Sequence, residues 1–142
     1  MKVFKAIDLF SGCGGLSCGL IQAGFEVVSA VEIDKDAAQI YSNYRPLQAT
    51  KVLISDIRKI KGKDLKRISN ILEDEIYLLA GCPPCQNFSL QNPDNAEKTV
   101  EEKKELLFQF LRIIKEIYPP LILMENVPGI VTSSNGEILQ EF

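Results

Sequence analysis

Residues 3–23 read VFKAIDLFSGCGGLSCGLIQA. The apolar run Val3–Leu9 predicts a β-strand, the glycine-rich segment after it predicts a tight loop, and the residues from Leu16 to Ala23 predict an α-helix. Gly24 suits the C-terminal cap of that helix, because glycine adopts the left-handed backbone conformation without strain. The stretch therefore predicts the strand and helix with which an alternating α/β fold begins.

The same alternation continues along the rest of the chain of 142 residues, a length that corresponds to about one domain. Strands are predicted at Phe25–Ile33, Val52–Ile54, Ile76–Ala80 and Leu121–Glu125, and helices at Asp34–Tyr44, within residues 61–74 and from Val100 to Tyr118. Asp34 is expected to cap the helix that it opens. The pattern predicts a mostly parallel sheet that is covered by helices on both faces.

The composition argues against several classes of protein. The net charge of −3 gives no basic footprint of a free-standing nucleic-acid-binding domain. No apolar run reaches the roughly 20 residues that span a bilayer, and the amino-terminal residues do not resemble a secretory signal. Four cysteines without an export signal are expected to stay reduced. We expect a soluble protein without membrane partners, cytoplasmic in a bacterium or nuclear in a eukaryote.

The unusual segments all follow predicted strands. They are FSGCGG (10–15), VEID (31–34), SDI (55–57), GCPPCQ (81–86) and MENVPG (124–129). Because the carboxyl ends of parallel strands meet at one edge of the sheet, and ligands bind beyond that edge, these segments are expected to form a single site.

The first of these segments favours a nucleotide-like ligand. Gly12, Gly14 and Gly15 allow the backbone to turn tightly and to approach a ligand closely, although a tight turn without a ligand would use the same glycines. Glu32 is placed where an acid can bind ribose hydroxyls. The phosphate-binding pattern G-x-G-x-x-G is incomplete, because Ser17 occupies its last position. An adenosine-containing ligand without a pyrophosphate therefore fits better.

Taken in order, DLFSGCGG, VEID, SDI, GCPPCQ and ENVPG resemble the motifs of the cytosine carbon-5 methyltransferases over nearly the whole chain. The resemblance implies a Rossmann-like fold that binds S-adenosylmethionine and releases S-adenosylhomocysteine. Residues 1–142 would form the amino-terminal part of the catalytic domain, ending after about five strands. The implied cofactor-binding residues are Phe10, Gly12, Gly14, Gly15, Leu16, Glu32, Ile33, Asp56, Ile57, Pro84 and Leu106. Among them, Glu32 would hold the ribose hydroxyls and Asp56 would accept a hydrogen bond from the adenine amino group.

The chemistry of cytosine methylation explains the prolines before Cys85. Carbon 5 of cytosine is a weak nucleophile until a thiolate adds to carbon 6, and Cys85, held in a stiff prolyl loop, is the candidate for that addition. Glu125 suits the acid that bonds ring nitrogen 3. The resemblance also implies that Asn126 braces the prolyl loop. The partner would be double-stranded DNA with the target cytosine flipped out of the stack.

Other interpretations of these residues remain open. Cys82 and Cys85 have the spacing of a redox or zinc CxxC, although no metal is expected because the remaining cysteine spacing is loose and the chain has no histidine. Cys13, Cys18 and Cys82 are interpreted as small buried hydrophobic residues. Glu125 as an ordinary surface acid is disfavoured, since it ends a strand that is expected to be buried.

The chain also departs from the family it resembles. The Q-x-R-x-R segment and the target-recognition region that usually follow are absent from this sequence. We therefore expect a fragment or one subunit of a split enzyme, which would need a carboxyl-terminal half as its partner. Methylation of cytosine in transfer RNA, and a non-catalytic module that binds a cofactor or a partner chain, are the alternative functions.

Overall fold

A computed structural model describes residues 4–72, 75–84 and 96–126 of the chain, with residues 96–104 described by their backbone alone. The strands are β1 (Phe4–Leu9), β2 (Phe25–Glu32), β3 (Lys51–Ile54), β4 (Tyr77–Gly81) and β5 (Leu121–Met124). The helices are α1 (Gly15–Gln22), α2 (Lys35–Asn43), α3 (Gly62–Ile68) and α4 (Ala96–Ile117). Two short 3-10 turns lie at Arg45–Leu47 and Ile57–Lys59.

The five strands form one parallel sheet in the order β3-β2-β1-β4-β5. The predicted α/β architecture is confirmed. The chain reverses its direction of travel across the sheet at β1, which pairs with β2 on one side and with β4 on the other. Such a reversal leaves a crevice beyond the carboxyl ends of the two central strands. The fold thus brings the ends of β1, β2 and β4 to a common edge.

Helices pack on both faces of the central strands. On one face, Phe110 and Ile113 of α4 are fully buried against Ile7 and Leu79 of the sheet. On the other face, Leu20 of α1 packs with alanines and leucines of β1 and β4. The three- and four-residue spacing that predicted α4 therefore marks the side of the helix that faces the sheet.

The ends of the helices follow local sequence signals. Asp34 caps α2 as predicted, since its side chain accepts hydrogen bonds from the backbone N–H groups of Asp36 and Ala37. Gly24 follows α1 with a φ of +90°. The helix expected within residues 61–74 ends earlier, at Ile68, because Asn70 adopts a left-handed φ of +53° that ends a helix. The last helix begins at Ala96, four residues before the predicted start.

The edge strand β5 differs from the expectation of a covered strand. Leu121, Ile122 and Leu123 are 46%, 49% and 40% exposed. The physical reason is that β5 lies at the edge of the described sheet, and β4 is the one described element with extensive contacts to it, so no described helix covers its faces well. Among the described helices, none combines the length and the apolar character that crossing a bilayer requires.

Candidate active site

The loop after β1 is built by backbone conformations that favour glycine. Gly12 and Gly14 have φ values of +52° and +95°, and Phe10 shares this left-handed region at +58°. At Gly14 an added Cβ would lie 2.4 Å from Cδ1 of Leu47, so the loop packs tightly there. A Cβ on Gly15 would meet no heavy atom within 4 Å. Internal packing therefore explains why position 14 is a glycine but does not explain the glycine at position 15.

Glu32 links the end of β2 to this glycine loop. Its Oε2 accepts a 2.7 Å hydrogen bond from the backbone N–H of Gly12. Its Oε1 accepts two more, each 2.8 Å, from the N–H groups of Ile33 and Asp34. Because a carboxylate has about four acceptor positions, Oε2 keeps one for a further donor such as a hydroxyl. Glu32 is thus oriented by the backbone with an acceptor position to spare.

Asp56 follows β3 and caps the 3-10 turn Ile57–Lys59. Its Oδ1 accepts a 2.9 Å hydrogen bond from the backbone N–H of Arg58. The guanidinium of Arg58 also binds this carboxylate, with Nη2 2.8 Å from Oδ2. These hydrogen bonds from the side chain and backbone of Arg58 hold the pKa of Asp56 below its usual value. Asp56 is therefore a fixed carboxylate at the edge of the sheet.

A cavity of about 190 Å³ lies between these two acids. This volume is below the roughly 300 Å³ at the lower end of cavities for drug-sized ligands, so it suits part of a larger ligand. The cavity brings together seven predicted cofactor-binding residues: Phe10, Glu32, Ile33, Asp56, Ile57, Pro84 and Leu106. It adds four residues that were not among the predicted cofactor-binding residues: Val31, Ser55, Arg58 and Cys82.

The other predicted cofactor-binding residues, Gly12, Gly14, Gly15 and Leu16, do not line the cavity. They form the glycine loop and the first turn of α1, where Leu16 is half-buried. The hydrogen bond from Gly12 to Glu32 joins this loop to the cavity. A ligand that fills the cavity and extends past Glu32 would therefore reach the glycine loop.

The segments after β4 and β5 are tied to the same edge. The backbone N–H of Glu125 donates to the carbonyl of Gly81 over 3.0 Å, and that of Cys82 donates to Leu9 over 3.2 Å. Asn126 Nδ2 donates to the Pro83 carbonyl over 3.4 Å, which is the contact that a brace of the prolyl loop would make. Cys85 lies outside the described residues.

Glu125 differs from one expectation. Its side chain is exposed, and the strand that precedes it is exposed as well. The argument that Glu125 ends a buried strand is therefore wrong, because β5 is an edge strand of the described sheet. The backbone of Glu125 nevertheless stands beside Gly81, at the base of the prolyl loop.

Comparison with known proteins identifies the family. A sequence model of the C-5 cytosine-specific DNA methylases matches residues 4–142. The chain belongs to this family. The type II methylase M.HgiDII of Herpetosiphon aurantiacus is 38% identical over 140 residues, which are 99% of this chain and 37% of that protein. The type II methyltransferase M.XorII of Xanthomonas oryzae pv. oryzae is 33% identical over 135 residues, 95% of this chain and 31% of that protein.

Solved structures agree with this family membership. A crystal structure described as a DNA modification methyltransferase of an E. coli prophage matches with a TM-score of 0.76 and 32% identity, covering 97% of this chain and 36% of that one. The Dnmt2 methyltransferase of S. pombe shares the fold, with a TM-score of 0.67 and 24% identity over 99% of this chain and 39% of that one. The chain spans roughly a third of the length of the curated relatives named above.

The burial of the cysteines is only partly as expected. Cys18 and Cys82 are half-buried, whereas Cys13 is exposed. The interpretation of Cys13 as a buried hydrophobic residue is wrong, because it lies at the turn of the glycine loop between Gly12 and Gly14. The described residues contain no group of His, Cys, Asp and Glu side chains that could hold a metal ion. Cys85, the other half of the CxxC, is not among them.

A buried polar cluster beneath the glycine loop was not predicted. Ser17 Oγ donates a 2.6 Å hydrogen bond to Asp8 Oδ2 and accepts a 2.8 Å one from the Tyr41 hydroxyl, and all three residues are fully buried. Burial raises the pKa of Asp8 to about 6, against the opposing effect of the Ser17 hydrogen bond. Two features of the sequence could have indicated this cluster: the acid within an apolar strand, and the serine in place of the third glycine.

Proposed function

We propose that this chain is the cofactor-binding part of an enzyme that transfers a methyl group from S-adenosylmethionine to carbon 5 of cytosine in DNA. The observation that carries the proposal is the cavity with Glu32 on one side and Asp56 on the other, at the carboxyl edge of a parallel sheet. The membership of the C-5 cytosine-specific DNA methylase family supports it. The relatives are type II DNA methyltransferases about three times as long, so activity on DNA is proposed for the whole protein.

The proposed roles at the cofactor follow from the geometry. The free acceptor position on Glu32 Oε2 suits a ribose hydroxyl, and the apolar Phe10, Ile33 and Leu106 suit the faces of an adenine. Gly15 has a negative φ and open space at its Cβ position, so close approach of a ligand is the remaining reason for a glycine there. When bound, S-adenosylmethionine supplies an electrophilic methyl group.

The proposed chemistry on the base belongs to Cys85 and Glu125. The Cys85 thiolate adds to carbon 6 of the flipped cytosine, while the Glu125 carboxyl group bonds ring nitrogen 3 and stabilises the charge that develops there. After carbon 5 has gained the methyl group, loss of its proton expels the thiolate and restores the aromatic ring. The hydrogen bond from Asn126 to Pro83 supports the proposal that the prolyl loop holds the thiol in a fixed direction.

The partner in this proposal is the carboxyl-terminal part that the longer relatives contain. The exposed apolar residues of β5 support it, since the edge strand of the described sheet offers backbone groups and apolar side chains to a further segment. Placing a flipped base needs contacts beyond Cys85 and Glu125, and a misplacement of about 1 Å can cost roughly 100-fold in rate. Residues 1–142 alone are therefore expected to bind the cofactor without methylating DNA efficiently.

The cofactor assignment is tested by calorimetry with S-adenosylhomocysteine. We expect binding by the folded chain, and Glu32→Ala should weaken it by about 10-fold or more, because hydrogen bonds to a charged group are worth roughly 1.5–3 kcal/mol. Glu26→Ala, which removes an exposed acid of the same strand, is the matched control and should leave the affinity unchanged. No heat at millimolar ligand with a folded sample would contradict the assignment.

The nucleophile is tested by covalent trapping in the chain combined with the carboxyl-terminal part of its relatives. Fluorine at carbon 5 blocks the final elimination, so 5-fluorocytosine in duplex DNA retains the thiol that has added. Cys85→Ser should abolish trapping and Cys82→Ser should leave it largely intact. Loss of trapping in both well-folded variants would favour a paired role for the two cysteines. Tritium transfer from labelled cofactor to tRNA but not to DNA would instead identify RNA as the substrate.

A further inference from the structure

Arg58 contacts both oxygens of the Asp56 carboxylate. Oδ1 accepts from the Arg58 backbone N–H over 2.9 Å and from Nε over 3.0 Å. Oδ2 shares the same Nε–H over 2.9 Å and forms an ion pair with Nη2 at 2.8 Å. Arg58 therefore occupies the side of the carboxylate that these contacts cover. An adenine amino group, which is a donor, competes with Arg58 for Asp56.

Glu105 provides a second partner for the same guanidinium. Arg58 Nη1 lies 3.4 Å from Glu105 Oε2, a longer and weaker contact than those to Asp56. Glu105 is on α4, next to Leu106, which lines the cavity. The side chains of Arg58 and Glu105 are 47% and 44% exposed, whereas that of Asp56 is 15% exposed. Since exposed ion pairs are individually weak, Arg58 can move from one acid to the other at small cost.

We propose that Arg58 determines the selectivity of the cavity by competing for Asp56: a 6-amino purine displaces Arg58 to Glu105, whereas a 6-oxo purine is held by Arg58 itself. A 6-amino group donates a hydrogen bond and needs an acceptor, and Arg58 competes for the oxygens of Asp56 that would accept it. A 6-oxo group accepts a hydrogen bond, which the guanidinium on Asp56 provides. The inference rests on the proposed binding of an adenosine-containing cofactor and names the residue that controls its recognition.

The test compares two ligands by calorimetry: S-adenosylhomocysteine and S-inosylhomocysteine, in which an oxo group replaces the 6-amino group. Arg58→Ala should bind the adenosyl ligand up to about fivefold more tightly, because a weak, exposed ion pair no longer competes. It should also bind the inosyl ligand more weakly, so that the ratio of the two dissociation constants rises roughly 10-fold. Arg58→Gln, which keeps a long polar side chain without the charge, should change the ratio in the same direction.

Two further variants sharpen the comparison. Glu105→Gln should weaken binding of the adenosyl ligand a few-fold and spare the inosyl ligand, because only the former needs Arg58 to move. Arg67→Ala is the control, since Arg67 is an exposed arginine that pairs with Asp64 and does not line the cavity. If the wild type binds S-adenosylhomocysteine but the ratio of the two dissociation constants in Arg58→Ala and Arg58→Gln stays within twofold of the wild-type ratio, the role of Arg58 is overturned. The proposed cofactor site then still stands. Binding of neither ligand by the folded wild type would overturn the proposed cofactor site as well.

Discussion

The hydroxyl of Ser17 lies 2.6 Å from Oδ2 of the fully buried Asp8, and this hydrogen bond joins the first turn of α1 to the carboxyl end of β1. The Tyr41 hydroxyl donates to Ser17 and extends the connection to α2. The second carboxylate oxygen of Asp8, Oδ1, is buried and has no hydrogen-bond partner among the described residues. Burial of a carboxyl group with one unpaired oxygen disfavours its ionised form and so raises its pKa.

We predict a pH-dependent stability from Asp8. Its pKa is raised from the ordinary 3.8 to about 6 in the folded chain, so stability is lost as the pH rises from about 4 through about 6. Because each pKa unit corresponds to about 1.4 kcal/mol, ionisation costs on the order of 3 kcal/mol. Asp8→Asn removes this cost. Urea unfolding should show the free energy of unfolding of the variant, relative to wild type, rising by roughly that amount between about pH 4 and pH 7.

The free energy of unfolding of Asp8→Asn relative to wild type is compared at the two pH values. Any fixed cost of burying the asparagine amide is the same at both and therefore cancels. Tyr41→Phe serves as the control, since it removes the outer hydrogen bond but leaves Ser17 on Asp8. The double variant Asp8→Asn/Tyr41→Phe is compared with the single variant Asp8→Asn. Because both lack the Asp8 carboxyl group, the difference between their free energies of unfolding should not change with pH. A difference between Asp8→Asn and wild type that stays constant with pH would show that Asp8 is not the group that titrates.

The order of the strands and helices was predictable because its signals are local. Asp34 caps α2 through residues two and three positions away, and Gly24 ends α1 through its own φ. The edge at which the motif segments meet was also predictable, since parallel strands place their carboxyl ends together. Seven predicted cofactor-binding residues therefore line one cavity.

The contacts that were not predicted join residues far apart in the chain. Arg58 and Glu105 are 47 residues apart, and Tyr41 and Ser17 are 24 apart, so neither pairing has a signal in any short window of sequence. The exposure of β5 was missed for a different reason. Its apolar run LILM is typical of a buried strand, and the exposure of its side chains depends on what covers the two faces of the sheet there, which no short window of sequence shows.

The glycine loop provides a prediction about stability. Gly14→Ala should destabilise the chain by about 3 kcal/mol, because the new Cβ meets Leu47 at 2.4 Å and the residue keeps a left-handed φ of +95°. Gly19→Ala is the matched control in the same region: it lies inside α1 with no heavy atom within 4 Å of its Cβ position. It should stabilise the chain by up to about 1 kcal/mol. Thermal or urea unfolding measures both, and equal effects of the two substitutions would contradict the packing argument.

Arg112 of α4 is predicted to hold the turn that carries Asp56 and Arg58. Its Nη2 donates to the carbonyls of Ile57 and Ile60 over 2.9 and 3.0 Å, and its Nη1 pairs with Glu116. Arg112→Ala should cost about 2 kcal/mol in the free energy of unfolding, because two carbonyls lose a charged donor. Affinity for S-adenosylhomocysteine should fall in the same variant, since the turn forms one wall of the cavity.

The control for Arg112 is Lys115→Ala, which removes an exposed cation from the same helix. It should change neither stability nor affinity appreciably. Arg112→Lys separates charge from geometry, because an ammonium group does not reproduce the planar set of donors that reaches both carbonyls and Glu116. If Arg112→Lys matches wild type in both measurements, the charge of Arg112 matters and its hydrogen bonds to the turn do not.

The exposed edge strand leads to a prediction about solution behaviour. Leu121, Ile122 and Leu123 are each at least 40% exposed, and a parallel sheet that ends in such a strand pairs readily with another chain. We expect residues 1–142 to self-associate as the concentration rises from micromolar towards millimolar. Ile122→Lys should reduce this association, because a lysine on an edge strand opposes pairing, while affinity for S-adenosylhomocysteine stays unchanged. Ile40→Lys replaces an exposed isoleucine of α2 that is 56% exposed and should leave the association intact. Sedimentation velocity distinguishes the two, and either a monomeric wild type or an equal effect of both lysines would contradict the role of β5.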